Sequence, residues 1–287
     1  MWPGGRSPRT GGPVIRQDSW IARLRAAGVP DAAGDFRRIL RWACDMGTTA
    51  SEPQIRDEPN ALALRMLEVG VSERELRRPV SQIIGEREFW NGTFKVTLDV
   101  LDPRPETELL VELGLQEPFD RVLDLGTGSG CVVISLLMER PNALGVGTDI
   151  SKQALPVAGE NAESMGVAER LILSVSDWYD DVNGRYDLIV SNPPYVATAE
   201  IKDLPPEVRC HEPRVAFSGG IDGLSAYRAI AAGARNHLTP GGRLLVEIGS
   251  TQADGVRSLM ADVGLEISAV HADLDGRDRV VAARNPA

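Results

Sequence analysis

Four consecutive residues, Asn192-Pro193-Pro194-Tyr195, form the most informative chemical pattern in the chain. Two adjacent prolines fix their own φ angles and keep the preceding asparagine out of the helical region, so the turn is stiff. Because proline has no N–H, the turn offers acceptors, chiefly the side-chain carbonyl of Asn192 and the main-chain carbonyl of Pro193. A planar NH₂ group needs such acceptors to push electron density onto its nitrogen, and the Tyr195 ring can lie against it. The pattern indicates chemistry on an sp² amine, with a plain strand-ending turn as the alternative.

A glycine-rich turn lies earlier in the chain, where the apolar stretch Val122–Leu125 runs into Gly126-Thr127-Gly128-Ser129-Gly130. Glycines let a ligand approach the backbone closely, so the turn predicts a nucleotide-type cleft at the carboxyl end of a strand. Dinucleotide-binding enzymes use a similar turn. Two details favour S-adenosylmethionine instead. Asp124 precedes the turn, where a carboxylate suits an ammonium group and repels a pyrophosphate, and the glycines are spaced more tightly than in the dinucleotide pattern.

Carboxylates also follow the next two strands. Asp149 ends a strand where its two oxygens can accept hydrogen bonds from the hydroxyls of a ribose. Capping of the following helix is an alternative role for Asp149, and the two roles can coexist. Asp177 and Trp178 follow the third strand, where a carboxylate can accept from the exocyclic amine of adenine and an indole can stack on its ring. A half-buried loop tryptophan is the structural alternative.

Two hydrophobic periodicities indicate the elements that position these residues. Helical spacing predicts four short amphipathic helices between residues 16 and 84, with Asp18, Asp31 and Ser72 as candidate N-caps. Alternation from Phe89 to Val100 around Asn91-Gly92 predicts a β-hairpin. From Pro105 helices and strands alternate, which predicts a mostly parallel sheet covered on both faces. Strands are predicted at 121–125, 143–149, 171–175, 186–191, 242–248, 265–271 and 279–283, and helices at 131–139, 152–165, 224–238 and 252–263.

Composition narrows the possible partners and ligands. The 287 residues carry a formal net charge of −10, which disfavours a sequence-independent grip on nucleic acid. The three cysteines and three histidines are scattered, so we expect no metal site. No stretch approaches the roughly 18 to 20 apolar residues of a membrane span, and no apolar signal core is visible at the N-terminus. We therefore expect a cytoplasmic protein that binds no membrane. Residues 1–15 are expected to form a disordered tail.

From about Arg78 onward the sequence resembles the peptide chain release factor glutamine methyltransferases. The glycine turn and Asn-Pro-Pro-Tyr are shared with nucleic-acid amino-methyltransferases, whereas other stretches are more specific to the glutamine enzymes. The stretches that carry the resemblance are Ser81–Phe89, Pro103–Glu108, Gly126–Gly130, Asn192–Tyr195, Pro206–Arg214, Gly219–Leu224 and Gly276–Val281. Asp102 departs from the pattern, because an aliphatic residue is usual before Pro-Arg-Pro.

The resemblance implies an α/β fold, a Rossmann-like class I methyltransferase with a seven-stranded, mostly parallel sheet and a small N-terminal helical bundle. It implies a recognition domain for the substrate protein at 16–84, a hairpin linker at 85–100 and a methyltransferase domain at 101–287. The implied activity is methylation, from S-adenosylmethionine, of the side-chain amide of the Gly-Gly-Gln glutamine in release factors. We expect a monomer, and from the net charge we expect no direct nucleic-acid contact. A ribosomal-protein glutamine, an adenine or guanine amine in nucleic acid, and a nonenzymatic binding module are the alternatives.

The resemblance also implies roles for individual residues. Asn192, Pro193 and Tyr195 are expected to be catalytic, and these three with Pro194 would contact the glutamine. Four more residues would wall the substrate site: Phe94, Pro105, Glu106 and Thr107. The expected cofactor contacts are Gly126, Thr127, Gly128, Ser129, Gly130, Asp149, Asp177, Trp178 and Asn192.

Overall fold

The computed structural model describes residues 17–47 and 60–287, so the tail expected at residues 1–15 lies outside the described residues. The chain divides into two compact units between Ile84 and Gly85. None of the described helices combines the length and apolar character that crossing a membrane requires.

Four helices make up the described part of the first unit. They are α1 (Gln17–Ala26), α2 (Ala32–Gly47), α3 (Ala61–Glu75) and α4 (Val80–Ile84). Asp31 accepts a hydrogen bond from the N–H of Gly34 at 2.9 Å, which is the contact expected of a cap. The prediction that Ser72 caps a helix is wrong. Ser72 lies in the last turn of α3, where its Oγ donates to Glu68 at 3.2 Å.

The hairpin of strands β1 (Glu86–Phe89) and β2 (Gly92–Lys95) belongs to the second unit. Its turn is one residue earlier than predicted, because Gly92 already pairs with Phe89 and the turn residues are Trp90 and Asn91. This register puts Phe89 and Phe94 on one face, where their rings meet edge to face with centroids 5.9 Å apart. Both rings are buried in the core of the second unit.

The second unit is an α/β domain in which helices and strands alternate as predicted. A 3-10 turn at Pro105–Thr107 leads into α5 (Glu108–Leu115), β3 (Arg121–Leu125), α6 (Cys131–Glu139), β4 (Leu144–Asp149), α7 (Ala154–Ser164), β5 (Leu171–Val175) and β6 (Tyr186–Ser191). The chain continues through α8 (Pro206–His211), α9 (Ser225–His237), β7 (Leu238–Glu247), α10 (Ala253–Asp262), β8 (Glu266–Ala272) and β9 (Asp278–Arg284).

Seven strands form one sheet in the order β5-β4-β3-β6-β7-β9-β8. The pairs from β5 to β7 are parallel, while β9 is antiparallel to both of its neighbours. The predicted mostly parallel sheet is therefore confirmed. Strand β7 begins four residues before the predicted position 242, because Leu238 already pairs with Tyr186 across a register shift.

Apolar side chains cover the sheet on both faces. One buried cluster joins the strands to α5 and α6 and includes Leu110 and Val133. The other joins them to α9 and α10 and includes Ile230 and Val256. Because neighbouring parallel strands end at the same edge, the segments that follow β3, β4, β5 and β6 meet there, which is where such sheets bind ligands.

Candidate active site

The glycine turn after β3 is held against β4. The N–H of Gly126 donates to the carbonyl of Thr148 at 2.8 Å. Gly126, Gly128 and Gly130 have φ values of 73°, 55° and 81°, in the left-handed region that favours glycine. A Cβ at Gly126 or Gly128 would meet no atom within 4 Å, whereas one at Gly130 would approach Ile134 to 2.7 Å. The first two glycines therefore border open space, and the third leaves room for the Ile134 side chain in the first turn of α6.

Asp149, at the end of β4, organises this turn. Its Oδ2 accepts from the N–H of Gly128 at 2.9 Å, and its Oδ1 accepts from the N–H of Ser151 at 2.8 Å. Burial raises the pKa of the Asp149 carboxyl, and the two backbone N–H groups oppose that rise. Each carboxylate oxygen has a second acceptor position. The geometry therefore combines a capping contact with remaining capacity to accept from a ligand.

Asp124 lies deeper, within β3, and lines the cavity beside the glycine turn. The hydroxyl of Thr127 donates to Asp124 Oδ2 at 2.8 Å. Burial raises the pKa of Asp124 to about 7, an effect that the nearby Asp149 charge strengthens and the Thr127 hydrogen bond opposes. Asp124 is thus a carboxyl group that changes charge near neutral pH.

The loop after β5 presents Asp177 and Trp178 at the same cavity. Ser176 Oγ donates to the carbonyl of Trp178 at 2.9 Å and accepts from the N–H of Asp181 at 3.0 Å, which fixes the loop. Trp178 has a φ of 53°, unusual for a residue with a side chain. Its indole is half-buried and packs against the core cluster that includes Leu123. The Ser176 hydrogen bonds and the packed ring therefore hold Trp178 in place despite its strained backbone.

The Asn192 side chain is oriented by its neighbours at the end of β6. Ser191 Oγ donates to the carbonyl of Leu125 at 2.6 Å and so ties the ends of β6 and β3 together. Asn192 Nδ2 donates to Thr107 Oγ1 at 3.0 Å. Asn192 Oδ1 has no hydrogen-bond partner within residues 17–47 and 60–287, and it is not buried away from solvent. The half-buried amide therefore keeps an unused acceptor where it lines the cavity.

Tyr195 is fixed through its main chain. Gln252 Nε2 donates to the Tyr195 carbonyl at 2.9 Å, and Gln252 Oε1 accepts from the N–H of Gly249 at 3.0 Å. Burial raises the pKa of the Tyr195 phenol to about 12, and the Glu247 charge adds to the rise. The phenol is therefore uncharged at neutral pH.

Sequence reasoning missed Glu247, a buried carboxylate behind Thr107. Thr107 Oγ1 donates to Glu247 Oε2 at 2.6 Å, and both residues are 2% exposed. Burial raises the pKa of Glu247 to about 7, while the Thr107 hydrogen bond and Arg279 oppose the rise. The available signal was one acidic residue at the end of the apolar run Leu244–Val246.

Sequence reasoning also missed Glu212, an acidic residue that forms a salt bridge beside the cavity. Arg104 pairs with Glu212 at 2.5 Å and lies 3.8 Å from Asp102. Burial raises the pKa of Glu212, against the opposing charge of Arg104. Asp102 and Arg104 line the cavity, so the residue that departs from the family pattern stands at the site.

A cavity of about 570 Å³ is bordered by the glycine turn, Asp124, Asp149, Trp178 and Asn192, and this volume is within the usual range for small-molecule sites. Of the residues predicted from sequence, its lining includes Thr107, Gly126, Thr127, Gly128, Ser129, Asp149, Asp177, Trp178, Asn192 and Pro194. Its lining fits S-adenosylmethionine. It offers acceptors for hydroxyl groups and an ammonium group, an indole ring, and open space at two glycines. Among the described residues, no cluster of His, Cys, Asp or Glu could hold a metal ion.

Six predicted site residues do not line this cavity: Gly130, Pro193, Tyr195, Phe94, Pro105 and Glu106. Phe94 lies in the hydrophobic core, because its ring completes the contact between the hairpin and the domain. Pro105 and Glu106 are exposed, and in their turn only Thr107 points inward to a buried partner.

Comparison with known proteins supports this description. The family model "Methyltransferase small domain" matches residues 99–205. A release factor glutamine methyltransferase of Cereibacter sphaeroides is 53% identical over 267 residues, covering 93% of this chain and 96% of the relative. One of Rhodospirillum rubrum is 40% identical over 300 residues, covering 99% and 91%. A methyltransferase structure from Pyrococcus furiosus has a TM-score of 0.53 at 16% identity, covering 68% of this chain and 89% of that one, which supports the fold alone.

The fold and the cavity define a Rossmann-like class I methyltransferase, and the methyltransferase domain implies the use of S-adenosylmethionine. At these identities and coverages, the chain belongs to the release factor glutamine methyltransferase family.

Proposed function

We propose that this enzyme methylates the side-chain amide nitrogen of the glutamine in the Gly-Gly-Gln motif of peptide chain release factors. The names of its relatives support release factors as substrates. The observation that carries the proposal is the Asn192 amide, which lines the cavity with its nitrogen bound to Thr107 and its oxygen unused.

The proposed chemistry follows from this acceptor. An amide nitrogen is a poor nucleophile because its lone pair is delocalised into the carbonyl. Asn192 Oδ1 would accept a hydrogen bond from the substrate NH₂, which increases electron density on nitrogen. Pro193 is buried and does not line the cavity, so its part would be to stiffen the turn rather than to contact the substrate. The stiff Asn-Pro-Pro turn would also hold that nitrogen in one position, which is the larger contribution when a reaction depends on alignment.

The cofactor would occupy the cavity around the glycine turn. Asp149 would accept from its ribose, Asp177 and Trp178 would contact its adenine, and Asp124 would face its ammonium group. When bound, S-adenosylmethionine supplies an electrophilic methyl group. Gly126 and Gly128 leave the backbone open to a close ligand, since a Cβ at either position would project into empty space.

Recognition of the substrate protein is proposed for the helical first unit. We also propose that the enzyme acts as a monomer, in the cytoplasm and without direct nucleic-acid contact. The acidic balance of the chain, 41 Asp and Glu against 31 Lys and Arg, supports the last point.

The test is transfer of labelled methyl groups with release factor, ribosomal proteins and RNA offered in parallel. We expect label in the release factor, and mass spectrometry should place the added methyl on the Gly-Gly-Gln glutamine. A release factor with that glutamine changed to glutamate is the matched control and should stay unlabelled. Label found only in ribosomal protein or RNA would contradict the proposal.

The role of Asn192 has its own test. Asn192→Ala should keep most cofactor affinity, while turnover falls by about 100-fold or more, as for the loss of a preorganised hydrogen-bonding group. Asn192→Asp keeps acceptor oxygens but loses the donor to Thr107. A loss of turnover in this variant would show that the orientation of the side chain matters as well as the presence of an acceptor. Calorimetry with cofactor and turnover with release factor measure the two effects. Parallel losses of affinity and turnover in Asn192→Ala would remove the assignment.

A further inference from the structure

Three side chains form a continuous hydrogen-bonded relay from the core to the cavity. Thr107 Oγ1 donates to Glu247 Oε2 at 2.6 Å, and Asn192 Nδ2 donates to the same Thr107 oxygen at 3.0 Å. Thr107 and Asn192 line the cavity, whereas Glu247 does not. Glu247 therefore stands behind the site and reaches it through one hydroxyl.

A hydroxyl group has a single hydrogen, and this makes the relay directional. An ionised carboxylate can only accept, so the Thr107 hydrogen must point at Glu247. The Thr107 oxygen can then only accept, and the group of Asn192 that faces it must be the NH₂. The carbonyl oxygen of Asn192 is consequently turned to the opposite side of its amide.

We infer that Glu247 is a positioning residue for methyl transfer, which acts through Thr107 to hold the Asn192 carbonyl toward the substrate amide. The inference rests on the proposed function of Asn192 as the acceptor. It deepens that proposal by naming the group that selects between the two orientations of a nearly symmetric side chain. Without this selection, a turned amide would present its NH₂ to the substrate NH₂, where no hydrogen bond can form.

Contacts from several elements fix the main chain at Glu247 and act on the charge of its carboxyl group. The Tyr227 hydroxyl donates to the Glu247 main-chain carbonyl at 3.0 Å, which fixes the end of β7. Titratable and charged groups from several elements interact electrostatically with Glu247: Arg104, Glu106, Cys131, Tyr195, Tyr227 and Arg279. The two arginines favour the ionised form, and burial and Glu106 oppose it.

The relay should respond to pH in one direction. Burial raises the pKa of Glu247 to about 7, so acidification below neutrality adds a proton to it. A protonated Glu247 can donate to Thr107, whose hydrogen is then free to point at Asn192, and the orientation is no longer enforced. Turnover should therefore fall as the pH decreases through about 7.

The test compares wild type with Glu247→Gln, which keeps the volume but can donate to Thr107. We expect kcat to fall roughly 10- to 100-fold, the scale for a lost hydrogen bond to a charged transition-state group, with the cofactor Kd changed less than about threefold. The acid limb of the kcat profile should disappear in this variant. Thr107→Ser should recover most of the activity that Thr107→Val loses, because serine keeps the hydroxyl.

A readout without turnover completes the test. In the cofactor-free enzyme, the NMR signals of the Asn192 side-chain NH₂ should shift with pH in wild type and stay constant in Glu247→Gln. Wild-type kcat in Glu247→Gln, equal losses in Thr107→Ser and Thr107→Val, or a cofactor Kd that rises as kcat falls would each overturn the inference. Wild type is assayed on release factor and ribosomal protein together. Label in the latter alone contradicts the proposed substrate, and the variants are then compared on that protein.

Discussion

Replacing Asp149 with alanine separates two roles that the structure combines in one carboxylate. The change removes the acceptors for the N–H groups of Gly128 and Ser151, at 2.9 and 2.8 Å, and the proposed contacts to a ribose. Hydrogen bonds to charged groups contribute about 1.5–3 kcal/mol, so loss of the ribose contact should weaken cofactor binding about 10- to 150-fold. Turnover at saturating cofactor should change much less, because Asp149 ends β4 and strand β3 separates it from β6, which leads into the Asn-Pro-Pro-Tyr turn.

The matched control is Asp187, a carboxylate near the start of β6, at the end of the parallel strands opposite the site. Its Oδ2 accepts from the N–H groups of Asp120 and Arg121, both at 3.0 Å, so Asp187→Ala removes the same kind of backbone contact. Calorimetry with S-adenosylhomocysteine, at a temperature where thermal melts show all proteins folded, measures affinity. We expect Asp187→Ala to lose stability but bind normally. Unchanged affinity in Asp149→Ala would limit Asp149 to capping, and equal losses in both variants would indicate general destabilisation.

Two other predictions concern the glycine turn and the buried carboxyl group of Asp124 that precedes it. Gly128→Ala should cost about 1–2 kcal/mol for its left-handed backbone and should also weaken cofactor binding, because its Cβ projects into the cavity. Gly130→Ala should destabilise more, since its Cβ also meets Ile134 at 2.7 Å; thermal melts and calorimetry that rank the two alike would contradict this difference. Burial raises the pKa of Asp124 to about 7, so the folded state binds a proton at Asp124 more tightly than the unfolded state does. The contribution of Asp124 to the free energy of unfolding therefore declines as the pH rises from about 4 to about 7. Asp124→Asn should therefore show a smaller Tm decrease between pH 5 and pH 8 than wild type, and an unchanged decrease would refute the assignment.

Much of the second unit could be predicted because apolar runs and glycine turns coincide with the ends of its strands and helices. Strand β3 and helix α6 have the predicted bounds, Arg121–Leu125 and Cys131–Glu139. Local signals were misleading where tertiary contacts were stronger. The hairpin turn lies at Trp90-Asn91 rather than at Asn91-Gly92, and Trp90 Nε1 donates to Glu139 at 3.0 Å.

The parts of the site that sequence reasoning missed are those built by contacts between distant residues. Glu247 is 140 positions from Thr107, and Glu212 is 108 positions from Arg104. A single acidic residue in an apolar strand does not indicate its partner, because spacing along one element cannot report a contact across the sheet. Thr107 was predicted only as a wall residue, and its hydrogen bonds to two other elements became visible from the fold.

The site forms only when strands β3, β4, β5 and β6 are assembled, since its groups come from the ends of these strands and from the turn before α5. A metabolite that binds this assembled edge and not the unfolded chain adds to stability by mass action, about 2.7 kcal/mol at a hundredfold excess over Kd. Nutritional depletion of the methyl donor would then slow the enzyme and also expose it to proteases.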